Sequence, residues 1–181
     1  MMRHFLLLLA PLALSACGEV VPEAPSPQPK PVPAVPPVAP TPPPQATSDN
    51  WQDWPNSPGN WVYRTDSKGS LALFGREGVD ADFVIRCTVS TKRIYISRAG
   101  AFPPGDTGRM TLRASSALKS YSVTNATDAP PYVAAELDPR DPQLDAVSFS
   151  RGRFIVSVKG ASDLVIPAWP EFARVVEDCR S

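Results

Sequence analysis

The stretch Asp82-Phe83-Val84-Ile85-Arg86-Cys87-Thr88-Val89-Ser90 decides the fold. Phe83, Ile85, Cys87 and Val89 alternate with Arg86, Thr88 and Ser90, and Val84 is the one apolar member of the second set. Successive side chains of a strand point to opposite faces, so this period of two reads as a half-buried β-strand and sends Cys87 into a core. After a polar turn at Ser90-Thr91-Lys92, Arg93 to Arg98 repeats the pattern with Ile94 and Ile96 on one side. The two segments are expected to pair antiparallel.

Upstream, Trp61 to Thr65 and Leu71 to Gly75 are short apolar segments separated by the turn residues Asp66-Ser67-Lys68-Gly69, which reads as another hairpin. Downstream, Met110, Leu112 and Ala114 alternate with Thr111 and Arg113, and Tyr121 and Val123 alternate with Ser120, Ser122 and Thr124. Phe154, Val156 and Val158 follow the same rule, but Ile155 adds an apolar residue to the other face, so this strand is expected to be buried on both sides and central in its sheet. Leu164-Val165-Ile166 reads as one more strand. Roughly seven or eight short strands at such spacing indicate an antiparallel β-sandwich or open barrel.

Two helices are expected within this β framework. Asp141-Pro142 supplies an N-cap followed by proline at the first helical position, and Gly152 supplies a stop after Leu144 to Arg151. From Pro170 onward, Phe172, Val175, Val176 and Cys179 fall at i, i+3, i+4 and i+7, one face of a helix, with Glu171 in the first turn to complement its dipole. The fold class is therefore mainly β, with a short C-terminal helix packed on the sheet.

The N-terminus has a different character. Phe5 to Leu14 is an apolar run of about ten residues, half the roughly 20 that a spanning helix needs, and Pro11 interrupts it. It reads as the core of a signal peptide. The tetrapeptide Leu14-Ser15-Ala16-Cys17 that ends it resembles the lipobox of bacterial lipoproteins. That resemblance implies removal of residues 1–16, acylation of Cys17 as the anchor to membrane lipid, and, with Gly18 rather than aspartate next, delivery to the outer membrane facing the periplasm. From Pro22 to Pro44 about every second residue is proline, which favours extended polyproline II and cannot join a sheet. At ~3.1 Å per residue this segment reaches on the order of 70 Å, a spacer between anchor and domain. A second reading makes it a ligand for an aromatic-lined groove. The organisation is thus a signal peptide at 1–16, a lipidated proline-rich linker at 17–49, and a single β-rich domain at 50–181.

The compartment that the signal implies is oxidising, and two cysteines remain there, Cys87 and Cys179. An even pair in that setting is most economically a disulfide, closing a loop of about 90 residues. A redox or nucleophilic thiol is the alternative, without a Cys-x-x-Cys or a histidine to serve it. The folded domain is similar, more loosely, to small uncharacterised lipoproteins of Gram-negative envelopes that pair a core-strand cysteine with one near the C-terminus, a likeness that carries no activity.

Composition narrows the chemistry. The chain holds 18 Lys and Arg against 18 Asp and Glu, so no basic stripe points to nucleic acid. Its one histidine, His4, lies in the signal segment. A Ser-His-Asp or Cys-His arrangement and an imidazole-based zinc site are therefore not expected, and neither metal nor cofactor is. Asp138, Asp141 and Asp145 crowd together, but without the alternate spacing and glycine of a calcium loop, and capping or turn formation accounts for them. The candidate binding surface is aromatic: Trp51, Trp54, Trp61 and Tyr63 cluster at the start of the domain. Such rings stack on sugars or anchor partners, or else they pack the N-terminal segment onto the sheet. The function expected on these grounds is a non-enzymatic, lipid-anchored binding or structural module whose partner is peptidoglycan or an envelope protein. The alternatives are a cell-wall hydrolase using carboxylates and an accessory lipoprotein of a secretion or transport assembly.

Overall fold

The computed structural model describes residues 50–126 and 131–181. The signal peptide, the acylation site Cys17 and the proline-rich linker lie outside the described residues. After a single 3-10 turn at Trp51–Asp53 come β1 (Asn60–Asp66), β2 (Gly69–Gly75), β3 (Phe83–Thr88), β4 (Arg93–Ala99), β5 (Gly108–Arg113), β6 (Leu118–Asn125), β7 (Tyr132–Leu137), α1 (Pro142–Ser148), β8 (Arg153–Val158), β9 (Leu164–Pro167) and α2 (Pro170–Arg180). The strands form one open antiparallel sheet in the order β1-β2-β3-β4-β7-β6-β5-β8-β9. β6 pairs with β5 along Leu118–Val123 but with β7 only at Thr124 and Asn125, so it joins two sectors of the sheet.

Local chemistry sets the hairpins. The Asp66 carboxylate accepts hydrogen bonds from the amides of Lys68 (2.8 Å) and Gly69 (3.1 Å), turning β1 into β2. Gly69 sits at φ +142°, and a Cβ there would lie 2.2 Å from the Cys87 carbonyl oxygen, so only glycine lets β2 start this close to β3. β3 and β4 pair with Ile85 opposite Ile96 and Cys87 opposite Ile94, as the alternation requires. β3 stops at Thr88, leaving Val89 in the turn and 49% exposed instead of in the core.

The alternation leaves Phe74, Phe83, Ile85, Ile94, Ile96, Met110, Leu112 and Phe154 without solvent exposure on the inner face. Phe83 of β3 and Phe154 of β8 stand far apart in strand order, yet their ring centroids are 6.1 Å apart. The sheet therefore curls on itself around a single core. Its two ends meet through the chain just before β1: the Ser57 amide donates to the Val165 carbonyl at 2.8 Å, the Val165 amide donates to the Ser57 hydroxyl at 3.0 Å, and Trp61 Nε1 of β1 donates to the Pro167 carbonyl of β9 at 2.9 Å. Buried Ser57 thus occupies the β9 edge, which would otherwise present unpaired amides.

Two elements depart from the sequence reading. β7 has weak strand formers in Ala134-Ala135-Glu136 and follows Pro130-Pro131, so propensity gives no signal for it, yet Val133, Ala135 and Leu137 alternate inward and β7 bridges β4 and β6. β8 is not central: it lies next to last, between β5 and β9. Its outer-face Ile155 is nonetheless buried, as is Val165 opposite it, because the N-terminal segment runs past them, with Arg153 donating to the Trp54 carbonyl and Ser57 bonded to Val165.

Both helices form where expected, α1 ending at Ser148, short of Gly152. Asp141 caps α1 by accepting from the Gln143 amide at 3.0 Å. α2 turns Phe172, Val175, Val176 and Cys179 into the core, and the Phe172 ring meets Trp61 (6.3 Å) and Phe154 (5.6 Å). The disulfide Cys87–Cys179, with Cα atoms 5.4 Å apart, ties the last turn of α2 to β3. A cross-link spanning 92 residues restricts the unfolded chain by an amount equivalent to at most about 4–5 kcal/mol. Replacing both cysteines by alanine is expected to lower the free energy of unfolding by up to about that much. Urea titration checks it, and coincident curves for the two proteins would show that the bond adds no stability.

Candidate functional site

The antiparallel register also defines the outer face of β1, β2, β3, β4 and β7, because residues paired across strands share a face. One row across these strands reads Val62, Leu73, Val84, Ser97 and Ala134, without a charge. The next row reads Arg64, Leu71, Arg86, Tyr95 and Glu136. Above them the β2–β3 connection, Arg76 to Ala81, stands as a wall. All of these but Glu136 line an open depression of about 1010 Å³, which Tyr132 also lines. Val62 is 44% exposed and Val79, in the wall, 58%.

The charges around this floor are uneven. Arg86 donates to both carboxylate oxygens of Asp66 at 2.9 and 3.1 Å, and the Asp66 carboxyl is held below its usual range, first by Arg86 and then by the Lys68 amide. Arg64, Lys68 and Arg76 also line the depression, and their side chains make no ion pair among the described residues. Glu77 and Asp80 stand in the wall. The two tyrosine hydroxyls are already committed. Tyr95 donates to Glu136 at 2.9 Å and Tyr132 to the Ala81 carbonyl at 2.8 Å, both with pKa raised, Tyr95 chiefly by that hydrogen bond and Tyr132 chiefly by burial. Among the described residues this lining contains neither histidine nor cysteine, and what it provides is an apolar row with charged groups beside it.

The four aromatic residues singled out from the sequence are not brought to one surface. Trp61 is a core residue, 6% exposed, packed against Phe74, Phe83 and Phe172. Tyr63 is half-buried under α2, its hydroxyl donating to Asp178 at 2.7 Å and the Arg174 guanidinium 4.0 Å above its ring. Trp51 and Trp54 are half-buried on the segment beside β8 and β9, where the Trp54 carbonyl accepts from Arg153. The carboxylates are likewise engaged. Asp138 accepts from the Arg140 amide and pairs with Arg93 at 3.4 Å, Asp145 pairs with Arg180 at 2.7 Å, and Asp141 takes Lys119 at 2.7 Å and the Tyr121 hydroxyl at 3.1 Å besides its capping bond. No group of three or more His, Cys, Asp or Glu suited to a metal ion occurs among the described residues.

The outer depression was not singled out from the sequence, although a signal for it exists. Leu71-Ala72-Leu73-Phe74 is apolar on both faces of β2, whereas a strand covered on one side alone alternates with polar residues. The β4–β7 pairing that extends the row to Ala134 had no such signal.

Compared with protein families, curated proteins and solved structures, the chain has no match.

The Asp141 cluster yields a pH test. Burial by itself would raise the Asp141 carboxyl, but Lys119, the Gln143 amide and Tyr121 outweigh it and hold the carboxyl below its usual range, while burial and the Asp141 charge raise the Tyr121 hydroxyl. A carboxyl depressed on folding adds stability above its unfolded pKa and loses it as pH falls through the folded value. Asp141→Asn is therefore expected to be less stable than wild type at pH 7, with the difference shrinking as the pH is lowered below the carboxylate range. Urea midpoints measured across that range check this, and a pH-independent difference would assign the loss to capping geometry alone.

Proposed function

We propose that this protein is a non-enzymatic binding module of the bacterial envelope, tethered at Cys17 to the outer membrane on its periplasmic side and holding an envelope component on the outer face of β1–β4 and β7. The observation that carries this reading is the uncharged row Val62-Leu73-Val84-Ser97-Ala134, apolar but for Ser97, on the sheet face away from the core and flanked by Arg64 and Lys68, which make no ion pair among the described residues. A patch of this kind is a usual mark of a binding surface. The tether rests on the lipobox-like Leu14-Ser15-Ala16-Cys17 and the proline-rich spacer behind it.

The character of the floor favours an apolar partner over a glycan. Sugar recognition uses aromatic platforms with hydrogen-bonding groups beside them, whereas the row itself offers one hydroxyl, that of Ser97, and no tryptophan lines the depression among the described residues. A carboxylate-based hydrolase gains no support from Asp138, Asp141 and Asp145, each of which is taken up by a neighbouring cation or amide.

Two measurements in the native cell test the proposal. The wild-type chain is expected in the membrane fraction and Cys17→Ala in the soluble fraction; equal partition of the two removes the tether. A photoreactive side chain at Val79 is expected to crosslink to an envelope component, whereas one at exposed Lys159, away from the depression, is not. Equal yields from both positions would remove the depression as the binding surface.

A further inference from the structure

The row on the outer face is long and narrow. It crosses five strands, so at roughly 4.8 Å between strands it runs about 19 Å from Val62 to Ala134, a single residue wide. Its flank is charged: Arg64 and Arg86 lie in the adjoining row, and Lys68 follows from the β1–β2 turn. Arg86 is neutralised by Asp66, which leaves Arg64 and Lys68 as the cations at the β1 end without an ion pair among the described residues. At the other margin Arg76 is followed directly by Glu77, with Asp80 further along the wall, so no net positive charge collects there.

The polarity of the floor selects among elongated occupants. Ser97 supplies the one hydroxyl of the row. An extended peptide laid across it would turn part of its backbone toward side chains that offer it no partner, an expensive arrangement for amide groups. A hydrocarbon chain makes no such demand and gains from each methylene removed from water. The cations at one end of the row then suit a negatively charged head in contact with solvent.

The geometry points to a site for one anionic single-chain amphiphile, its acyl chain lying across β1, β2, β3, β4 and β7 on Val62, Leu73, Val84 and Ala134, and its anionic head held by Arg64 and Lys68. The assignment rests on the outer face being the binding surface and adds the chemical class of what it holds. The ligand is a single lipid molecule lifted from a membrane, not the membrane surface, because the row is one residue wide and is bounded along one side by the Arg76–Ala81 wall.

The test uses the full chain as its Cys17→Ala form, so that no attached acyl group competes, with displacement of a fluorescent long-chain fatty acid as the readout. Palmitate is expected to bind more than about a hundredfold tighter than hexanoate, because the longer chain buries many more methylenes. Arg64→Glu combined with Lys68→Glu, both exposed, is expected to weaken palmitate about tenfold while leaving uncharged hexadecanol unchanged. Val62→Asp, at a position already 44% exposed, is expected to weaken both. Circular dichroism confirms that each variant is folded. Equal affinity for palmitate and hexanoate, or an unchanged palmitate affinity in the charge-reversed variant, overturns the assignment. So does stronger displacement by an extended peptide of alternating Glu and Leu than by palmitate. In any of these cases a crosslink from Val79 in the cell would still stand for the surface, so the ligand class and the surface fail separately.

Discussion

Everything in the fold depends on α2 being held against the inner face of the curled sheet. Phe172 touches Trp61 from the first strand in sheet order and Phe154 from the next to last. One helical side chain therefore packs against both ends of the sheet, beside the hydrogen bonds that Ser57 and Trp61 make to β9. Truncating a buried phenylalanine of this kind costs roughly 3–5 kcal/mol, a large share of the 5–15 kcal/mol by which a small domain is usually stable. The Cys87–Cys179 bond acts at the other end of the same helix and opposes fraying of the C-terminus, where α2 would otherwise be free to leave. Packing thus fixes where the helix lies, and the covalent link reduces the alternatives available to the unfolded chain.

The closure at Ser57 follows from that arrangement. Once the inner faces are brought together, the edges of β1 and β9 come close, and a small residue with both an amide and a hydroxyl can satisfy Val165 on its donor and acceptor sides at once. Alanine or valine there would leave the Val165 amide buried without an acceptor, a loss on the order of 1–3 kcal/mol. The N-terminal segment is for this reason part of the folded unit, with Ser57 and the Trp54 carbonyl bonded to β9 and β8.

Residues with strong local chemistry were legible. The alternation around Cys87 placed β3 and β4, Asp141-Pro142 placed α1, and the spacing of Phe172, Val175, Val176 and Cys179 placed α2 and its buried stripe. β7 was not legible, because alanines and a glutamate pair as a strand only when β4 and β6 offer edges on both sides. That is a tertiary override of weak propensity. Trp61 was misleading for the opposite reason: tryptophan is as suited to a core as to a surface, and only the register, which sets it on the inner face with Phe74, separates the two. The candidate site was legible only in the run Leu71-Ala72-Leu73-Phe74, apolar on both faces, since its row is assembled from five strands and no two of its residues are neighbours in the chain.

The outer row asks for more than the fold requires. Val62 and Val84 need no special account, because β-branched residues suit any exposed strand. Leu71 and Leu73 differ. Leucine is not among the preferred strand formers, and on the face away from the core it adds nothing to the Phe74, Ile85 and Phe154 packing beneath. Threonine would keep the strand and lower the cost of exposing apolar surface to water, and the neighbouring row shows that this sheet accepts it, with Thr88 opposite Arg93. Leucines held half-buried on an outer face, between the Arg76–Ala81 loop and Arg64, which makes no ion pair among the described residues, are accounted for by the proposed binding surface. The demands of the core end at Ala72 and Phe74, and the two leucines that alternate with them are what the proposed binding surface accounts for.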